Sequence, residues 1–151
     1  MSKFIVLDAG PLGLLMQRRG LQLADDCRVW ASDHLLAGNL ILVPEVADYE
    51  VRRELLRLNK LAAVQRLDLF NTVSTSRYLP LTTHAMRRAA ELWADVRKRG
   101  LPTADPKELD ADVIVAAQCL TSGLPISDVV VATTNPVHLA RFISAELWQN
   151  I

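Results

Sequence analysis

Asp110 and Asp112 stand two residues apart at the head of an apolar run, Val113-Ile114-Val115-Ala116-Ala117. The stretch opens like a helix: Asp105 suits the N-cap, Pro106 the first helical position, and Glu108 can close a capping box. Neighbours two apart on a helix point roughly 200° from each other, so the two carboxylates cannot serve one ligand equally. Asp112 lies over Val115, Ala116 and Cys119, the side with the smallest residues. An ionised carboxylate facing a packed interior costs on the order of several kcal/mol unless a counter-charge or cation meets it. Asp112 is therefore either a ligand for a cation or a structural Asp bonded to amides of the first turn.

Other polar groups sit where the surrounding pattern places strand ends. Phe4-Ile5-Val6-Leu7 reads as a buried strand ended by Asp8-Ala9-Gly10-Pro11. Val129-Val130-Val131-Ala132 reads as a late buried strand leaving through Thr133-Thr134-Asn135-Pro136. In open parallel α/β sheets the carboxyl edge is where ligands bind, which singles out Asp8 and Asn135. The plain alternative for Asp8 is a cap on the helix that follows. Glu50 lies early in a helix after a third buried run, Leu40-Ile41-Leu42-Val43, and is the acid of that helix able to reach inward.

The remaining elements follow from periodicity and punctuation. Helices are expected at 12–16, at 21–37 with Leu21, Ala24, Trp30, Leu35 and Leu36 inward, and at 45–59 with Val46, Tyr49, Val51, Leu55, Leu56 and Leu58 inward. Further helices are expected at 60–70 and at 84–99. The latter is capped by Thr82 or Thr83, carries the stripe Ala85, Ala89, Leu92, Trp93 and Val96, and ends at Gly100. A strand is expected at 77–81, a loop at 101–104, a helical turn at 137–140 and a last strand near 142–143. Strands alternating with helices imply a three-layer α/β/α sandwich around a mainly parallel sheet, with residues 1–151 as one domain.

The 151 residues suffice for one proper core, and half of them are hydrophobic. Lys+Arg and Asp+Glu balance at 17 each, so any nucleic-acid site must be a local patch. Cys27 and Cys119 are far apart and read as small buried hydrophobes of a reducing compartment. The apolar run at 4–7 is too short for a signal peptide and no segment approaches a membrane span, so a cytoplasmic protein is expected. Oxygen ligands from separate strand ends suit Mg²⁺ or Mn²⁺, and with no Cys or His among them zinc is disfavoured. A cation so held activates water and neutralises a phosphodiester, which is metal-assisted hydrolysis.

Four pieces of the chain resemble the PIN-domain family, the fold of the ribonuclease toxins of VapBC-type toxin–antitoxin pairs. They are Val6-Leu7-Asp8-Ala9-Gly10-Pro11-Leu12, Val43-Pro44-Glu45-Val46-Ala47-Asp48-Tyr49-Glu50-Val51-Arg52-Arg53-Glu54-Leu55, Leu109-Asp110-Ala111-Asp112-Val113-Ile114-Val115-Ala116-Ala117 and Val131-Ala132-Thr133-Thr134-Asn135. They recur in family order over nearly the whole chain.

The resemblance implies a PIN-like fold and a metal-dependent endoribonuclease with Asp8, Glu50 and Asp112 as its acidic Mg²⁺- or Mn²⁺-binding core. Asn135 falls at the family's fourth position, Asp or Asn, and joins the catalytic set. Two departures stand out. The family often carries Thr or Ser after the first Asp, where this chain has Ala9, so a hydroxyl that would position that carboxylate is missing. Asn135 also lowers the negative charge of the site. Glu45 and Glu54 compete with Glu50 on register, and Glu50 matches best through Tyr49-Glu50-Val51-Arg52-Arg53. The resemblance further implies an RNA substrate, a cognate antitoxin whose helix lies across the active-site groove, and a homodimer; Leu55-Leu56, Leu92-Trp93 and Leu147-Trp148 are the expected exposed apolar pairs.

Arg52, Arg53, Arg57 and Lys60, or Arg18 and Arg19, are expected to hold phosphates without reading bases, and no aromatic interleaving offers base stacking. Two rivals remain. A catalytically inactive PIN-fold module would bind protein alone. A phosphoacceptor-type signalling module would need a Lys after a late strand, and the chain has none there.

Overall fold

A computed structural model describes residues 2–101 and 105–151. Of the loop expected at 101–104, residues 102–104 lie outside the described residues. Five strands form one sheet, β1 (Phe4–Leu7), β2 (Leu40–Pro44), β3 (Tyr78–Leu79), β4 (Val129–Thr133) and β5 (Ala145–Leu147), in the order β3-β2-β1-β4-β5. Every neighbouring pair is parallel. The helices are α1 (Ala9–Met16), α2 (Gln22–Leu36), α3 (Glu45–Arg57), α4 (Leu61–Thr72), α5 (Thr83–Arg99), α6 (Pro106–Leu120) and the short α7 (Pro136–Leu139).

Alternation along the strands divides the interior in two. Ile5, Leu7, Ile41 and Val43 face α1, α2, α3 and α4, with Leu12, Cys27 and Leu67 among the buried partners. Val6, Leu42, Val129 and Val131 face the other way, against Val115, Ala116 and Cys119 of α6. A third layer of contact seals α5 to α6 through Ala89, Val96, Leu109, Val113 and Ala117. The small residues of α6 let that helix lie close to the sheet, as a central helix apolar on nearly every side should. Burial pushes the Cys27 and Cys119 thiols up to about 12, so both are inert packing groups.

Local signals set the ends of the helices around the site. The Asp105 side chain accepts from Lys107 N at 2.9 Å with Pro106 in the first turn, as expected. Thr82 caps α5 by accepting from Ala85 N at 3.0 Å, and Gly100 ends it at φ 63°, a conformation that favours glycine.

Several elements differ from expectation. The first helix begins at Ala9 rather than at 12, because the Asp8 side chain caps it and Pro11 still falls in the first turn, where its missing N–H costs nothing. β3 shrinks to two residues because Pro80 has no N–H to extend the ladder. The last strand lies at Ala145–Leu147, not near 142–143. Phe142 N and Ile143 N both bond back to Leu139 O, so those two apolar residues close the α7 turn and pack under the sheet instead. On α2 the buried stripe is Ala24, Cys27 and Ala31, while Leu21, Leu35 and Leu36 are exposed. On α3, Tyr49, Leu56 and Leu58 are exposed too. Trp148 is the reverse case: it is 3% exposed and meets Trp30 edge to face at 5.6 Å.

Candidate active site

The chain runs outward from β1 to β2 and β3, then returns to lay β4 and β5 on the opposite side of β1. The strand order therefore reverses between β1 and β4, and the crevice beyond their carboxyl ends is where such a sheet can admit a ligand. Leu7 is in register with Ala132, so Asp8 and Thr133 emerge side by side at that crevice.

The crevice holds a pocket of about 190 Å³ lined by Asp8, Glu50 and Asp112 together with Glu108, Thr133 and Asn135, among others. Each acid arrives from a different element: Asp8 from the end of β1, Glu50 from the second turn of α3, Asp112 from α6. Asn135, the N-cap residue of α7, lines the rim and is exposed. Glu45 and Glu54 lie elsewhere. The Glu45 side chain accepts from Leu81 N at 2.8 Å, holding the chain beyond β3, and Glu54 pairs with Arg57 on the surface. Asp110 does not line this pocket, in keeping with helix geometry; it stands between two other grooves, one toward Met86 and Trp93 of α5 and one toward α3.

Asp8 is held on both oxygens. Ala9 N donates to Oδ1 at 2.9 Å and Thr133 Oγ1 donates to Oδ2 at 2.8 Å. The Thr133 hydroxyl also accepts from Asn135 N at 3.2 Å, tying the β4 exit to β1. The hydroxyl that Ala9 lacks thus reaches Asp8 from a residue 125 positions away. Gly10 permits a close approach here, since a Cβ on it would stand 2.6 Å from the Thr134 side chain.

Glu50 and Asp112 are not held in this way. Glu50 Oε1 is buried with no hydrogen-bond partner among the described residues. Burial first and Asp8 second raise the Glu50 carboxyl above its ordinary value, while Arg53 pulls it back. Burial, then Asp8, Glu108 and Glu50, push Asp112 up to about 7. These are the shifts expected of half-buried carboxylates crowded together.

Whether these residues fit a metal turns on their chemistry. Among the described residues, no three His, Cys, Asp or Glu side chains are drawn together tightly enough to hold an ion outright. The donor set is nevertheless one of hard oxygens, with one buried oxygen lacking a partner among the described residues and two carboxyls raised by burial and then by neighbouring acids. That set fits Mg²⁺ or Mn²⁺. One imidazole does line the pocket, contrary to the expectation of none: His138, from α7, with its Nδ1 buried and without a hydrogen-bond partner among the described residues.

The expected phosphate-holding cations separate into groups. Arg52 is committed to Asp48 and Asp68, and Arg57 to Glu54, so neither is available as foreseen. Arg18 and Lys60 line a different groove of about 590 Å³ with Arg66, sharing no lining residue with the acid pocket. Arg19 is an exposed neighbour of Asp25. Only Arg53 of the six stands beside a pocket acid.

Comparison with solved structures gives one consistent fold. The chain is similar to a chain of VapBC2 from Rickettsia felis bound to a DNA fragment from its promoter, at 14% identity, a TM-score of 0.65 and coverage of 96% of this chain and 98% of that one. It is similar to a chain of FitAcB from Neisseria gonorrhoeae at 16% identity, a TM-score of 0.66 and coverage of 97% and 99%. It is similar as well to a chain of DNA-bound VapBC from Salmonella typhimurium at 20% identity, a TM-score of 0.58 and coverage of 98% and 99%. No protein-family model and no curated protein matches the sequence. At these identities the likeness is one of fold, and the fold is PIN-like, with a single five-stranded parallel sheet between helical layers.

Proposed function

We propose that this chain is a divalent-metal-dependent endoribonuclease, the toxin of a toxin–antitoxin pair acting in the cytoplasm. The observation that carries the reading is the set of carboxylates Asp8, Glu50 and Asp112, delivered by separate elements to one pocket at the reversal of strand order. The fold shared with VapBC and FitAB chains supports the biological setting, including a cognate antitoxin as partner.

Asp8, Glu50 and Asp112 would hold Mg²⁺ or Mn²⁺. When bound, such an ion supplies a water of lowered pKa and neutralises charge on the scissile phosphodiester. The chain's own contribution is positioning. Thr133 and the Ala9 amide fix the Asp8 carboxylate. Glu50 offers an oxygen that nothing else in the described structure engages. Asn135 extends a neutral amide at the mouth, able to bond a phosphate or ribose oxygen without repelling it.

The assay is cleavage of a mixed RNA pool by folded protein at equal concentration, with Mg²⁺ or Mn²⁺ and with chelator. Asp112→Asn keeps shape and removes charge; its cleavage should fall by roughly a hundredfold or more, the scale on which catalytic charge is worth several kcal/mol. Asp8→Asn and Glu50→Gln should behave alike, and Glu54→Gln should cut as wild type. Full activity in Asp112→Asn refutes the assignment; a wild type inert with every divalent cation favours a protein-binding PIN-fold module instead.

The homodimer belongs to the same reading. The groove of about 360 Å³ between α5 and α6 is walled by Met86, Trp93 and Ile114, and Trp93 remains part-exposed under Arg97. Light scattering at micromolar concentration should give twice the chain mass, and a monomer counts against it.

A further inference from the structure

We propose that the groove beside Glu50, between α3 and α6, is a subsite for single-stranded RNA in which Tyr49 stacks an unpaired base and Arg53 and Lys107 hold the neighbouring phosphates. The proposal deepens the nuclease reading and rests on it.

The groove is about 180 Å³ and is lined by Tyr49, Glu50, Arg53, Lys107, Asp110 and Ala111, among others. It shares Glu50 and Ala111 with the acid pocket, so a strand leaving that pocket enters it directly. Tyr49 is 59% exposed, although it follows directly on buried Val46, Ala47 and Asp48 and precedes a half-buried acid. Exposing a ring of this size forgoes burial that its neighbours Val46 and Val51 obtain. The Arg53 guanidinium lies over the ring, 5.0 Å from its centroid, and so limits the orientations both side chains can adopt.

The charges give the second argument. A pocket of carboxylates repels a polyanion, and the carboxylates of Glu50 and Asp110 extend that repulsion along the groove. A strand can pass only where cations stand at hand. Arg52 and Arg57 are consumed by ion pairs. Arg53 and Lys107 are drawn into none among the described residues, and they flank the groove from opposite helices. A stacking surface bracketed by two cations is the pattern that binds unpaired nucleotides with little regard to sequence. A duplex cannot splay a base onto Tyr49, so the occupant is a single strand.

The test measures binding apart from catalysis. In the Asp112→Asn background, fluorescence anisotropy follows a short labelled single-stranded RNA, its duplex with a complementary strand, and a salt series. Tyr49→Ala should weaken single-strand binding roughly 5- to 150-fold, the range for loss of one stacked base, while Tyr49→Phe should bind as before. Arg53→Gln and Lys107→Gln should each lower the slope of log affinity against log salt by about 0.7, the share of one phosphate contact on a single strand. In the otherwise wild-type enzyme, Tyr49→Ala should raise KM and spare kcat. Circular dichroism on these surface variants should show an unchanged fold. Equal affinity in Tyr49→Ala, or equal binding of duplex and single strand, overturns the subsite and leaves the surface to a protein partner. If Tyr49→Ala cuts RNA like wild type, the subsite fails and the nuclease stands. If binding depends on Tyr49 but no cation elicits cleavage, the nuclease fails.

Discussion

Asp48 and Asp112 both sit on helices packed against the sheet, and the fold provides for them in opposite ways. Asp48 is 6% exposed and accepts from Arg52 Nε at 2.9 Å, Arg52 Nη2 at 3.0 Å and Asn71 Nδ2 at 2.7 Å. Arg52 reaches on to Asp68 at 2.7 Å, and these carboxylates hold its proton more firmly than usual, Asp48 foremost. Asp112 stands among Asp8, Glu108 and Glu50, and burial first and these acids second push its carboxyl upward. One carboxylate is matched by a cation from its own chain. The other meets only its own kind among the described residues, the setting in which a buried carboxylate calls for a counter-charge. Burial of charge alone does not separate a structural acid from a reactive one; the partner supplied by the fold does.

Removing each acid should expose the contrast. Asp48→Ala strips Arg52 and Asn71 of their acceptor in a largely dry site, and breaking such a pair costs about 3 kcal/mol, the low end of the usual range because Arg52 stays part-exposed and keeps Asp68. Urea unfolding should show that loss, with cleavage per folded molecule unchanged. Asp112→Asn should leave the metal-free protein as stable as wild type or more so. If both variants lose stability equally, the contrast fails.

Metal binding gives the next largest effect. A cation at about 100 times its dissociation constant adds roughly 2.7 kcal/mol if it binds only the folded chain, which in a chain of this size raises Tm by roughly 5–10 °C. Thermal melts with and without Mg²⁺ or Mn²⁺ measure it. Asp8→Asn should halve the response or worse, and Asp48→Asn should keep it in full. An unchanged wild-type midpoint speaks against a metal at the pocket.

Protons probe the same pocket with smaller force. Below the ordinary carboxylate range, Asp112 is protonated folded or unfolded. Between that range and about 7, only the folded chain retains the proton, so the contribution of Asp112 to stability is lost as pH rises and is gone above about 7. Glu50, raised in the same direction, adds to the trend. The metal-free Tm of Asp112→Asn should thus match wild type near pH 4 and exceed it progressively up to pH 8. A constant gap between the two curves contradicts a carboxyl raised by burial and by its neighbouring acids.

What the amino-acid pattern made legible follows from range. The runs at β1, β2 and β4 are apolar on both faces, and α6 carries its own cap, so all four stand where local reading put them. One strand end and two helices beginning at the same sheet edge then bring Asp8, Glu50 and Asp112 together, because parallel topology dictates which edge they share. Of the edge strands, β5 was displaced because Phe142 and Ile143 look like a strand but serve as core, and β3 was cut short at Pro80. Tyr49 fits the apolar period of α3 yet faces outward, and Trp148 looks like surplus surface yet packs on Trp30. Arg52 reads as one of a basic cluster, since its partner Asp68, across a turn on α4, leaves no periodic mark. Thr133 is the clearest case: nothing near it in sequence announces a bond to Asp8.

That bond offers the finest test. Thr133 is 1% exposed, and its hydroxyl both donates to Asp8 Oδ2 and accepts from Asn135 N. Thr133→Val keeps the shape and deletes the hydroxyl. Because Asp8 is only half-buried and water can reach it, the loss of stability should be modest, about 1 kcal/mol. The metal response separates two roles for the hydroxyl. If it merely fastens β4 to β1, the increment in Tm produced by Mg²⁺ is the same in both proteins. If it orients a ligand oxygen, apparent Mg²⁺ affinity falls about tenfold, as when a group behind a metal ligand is removed. Thr133→Ser restores the hydroxyl without the methyl and should recover most of that affinity even if it does not recover the stability. Recovery of stability without recovery of affinity would assign Thr133 to the framework alone, and Asp8 would then be held for the metal by its helix-capping bond to Ala9.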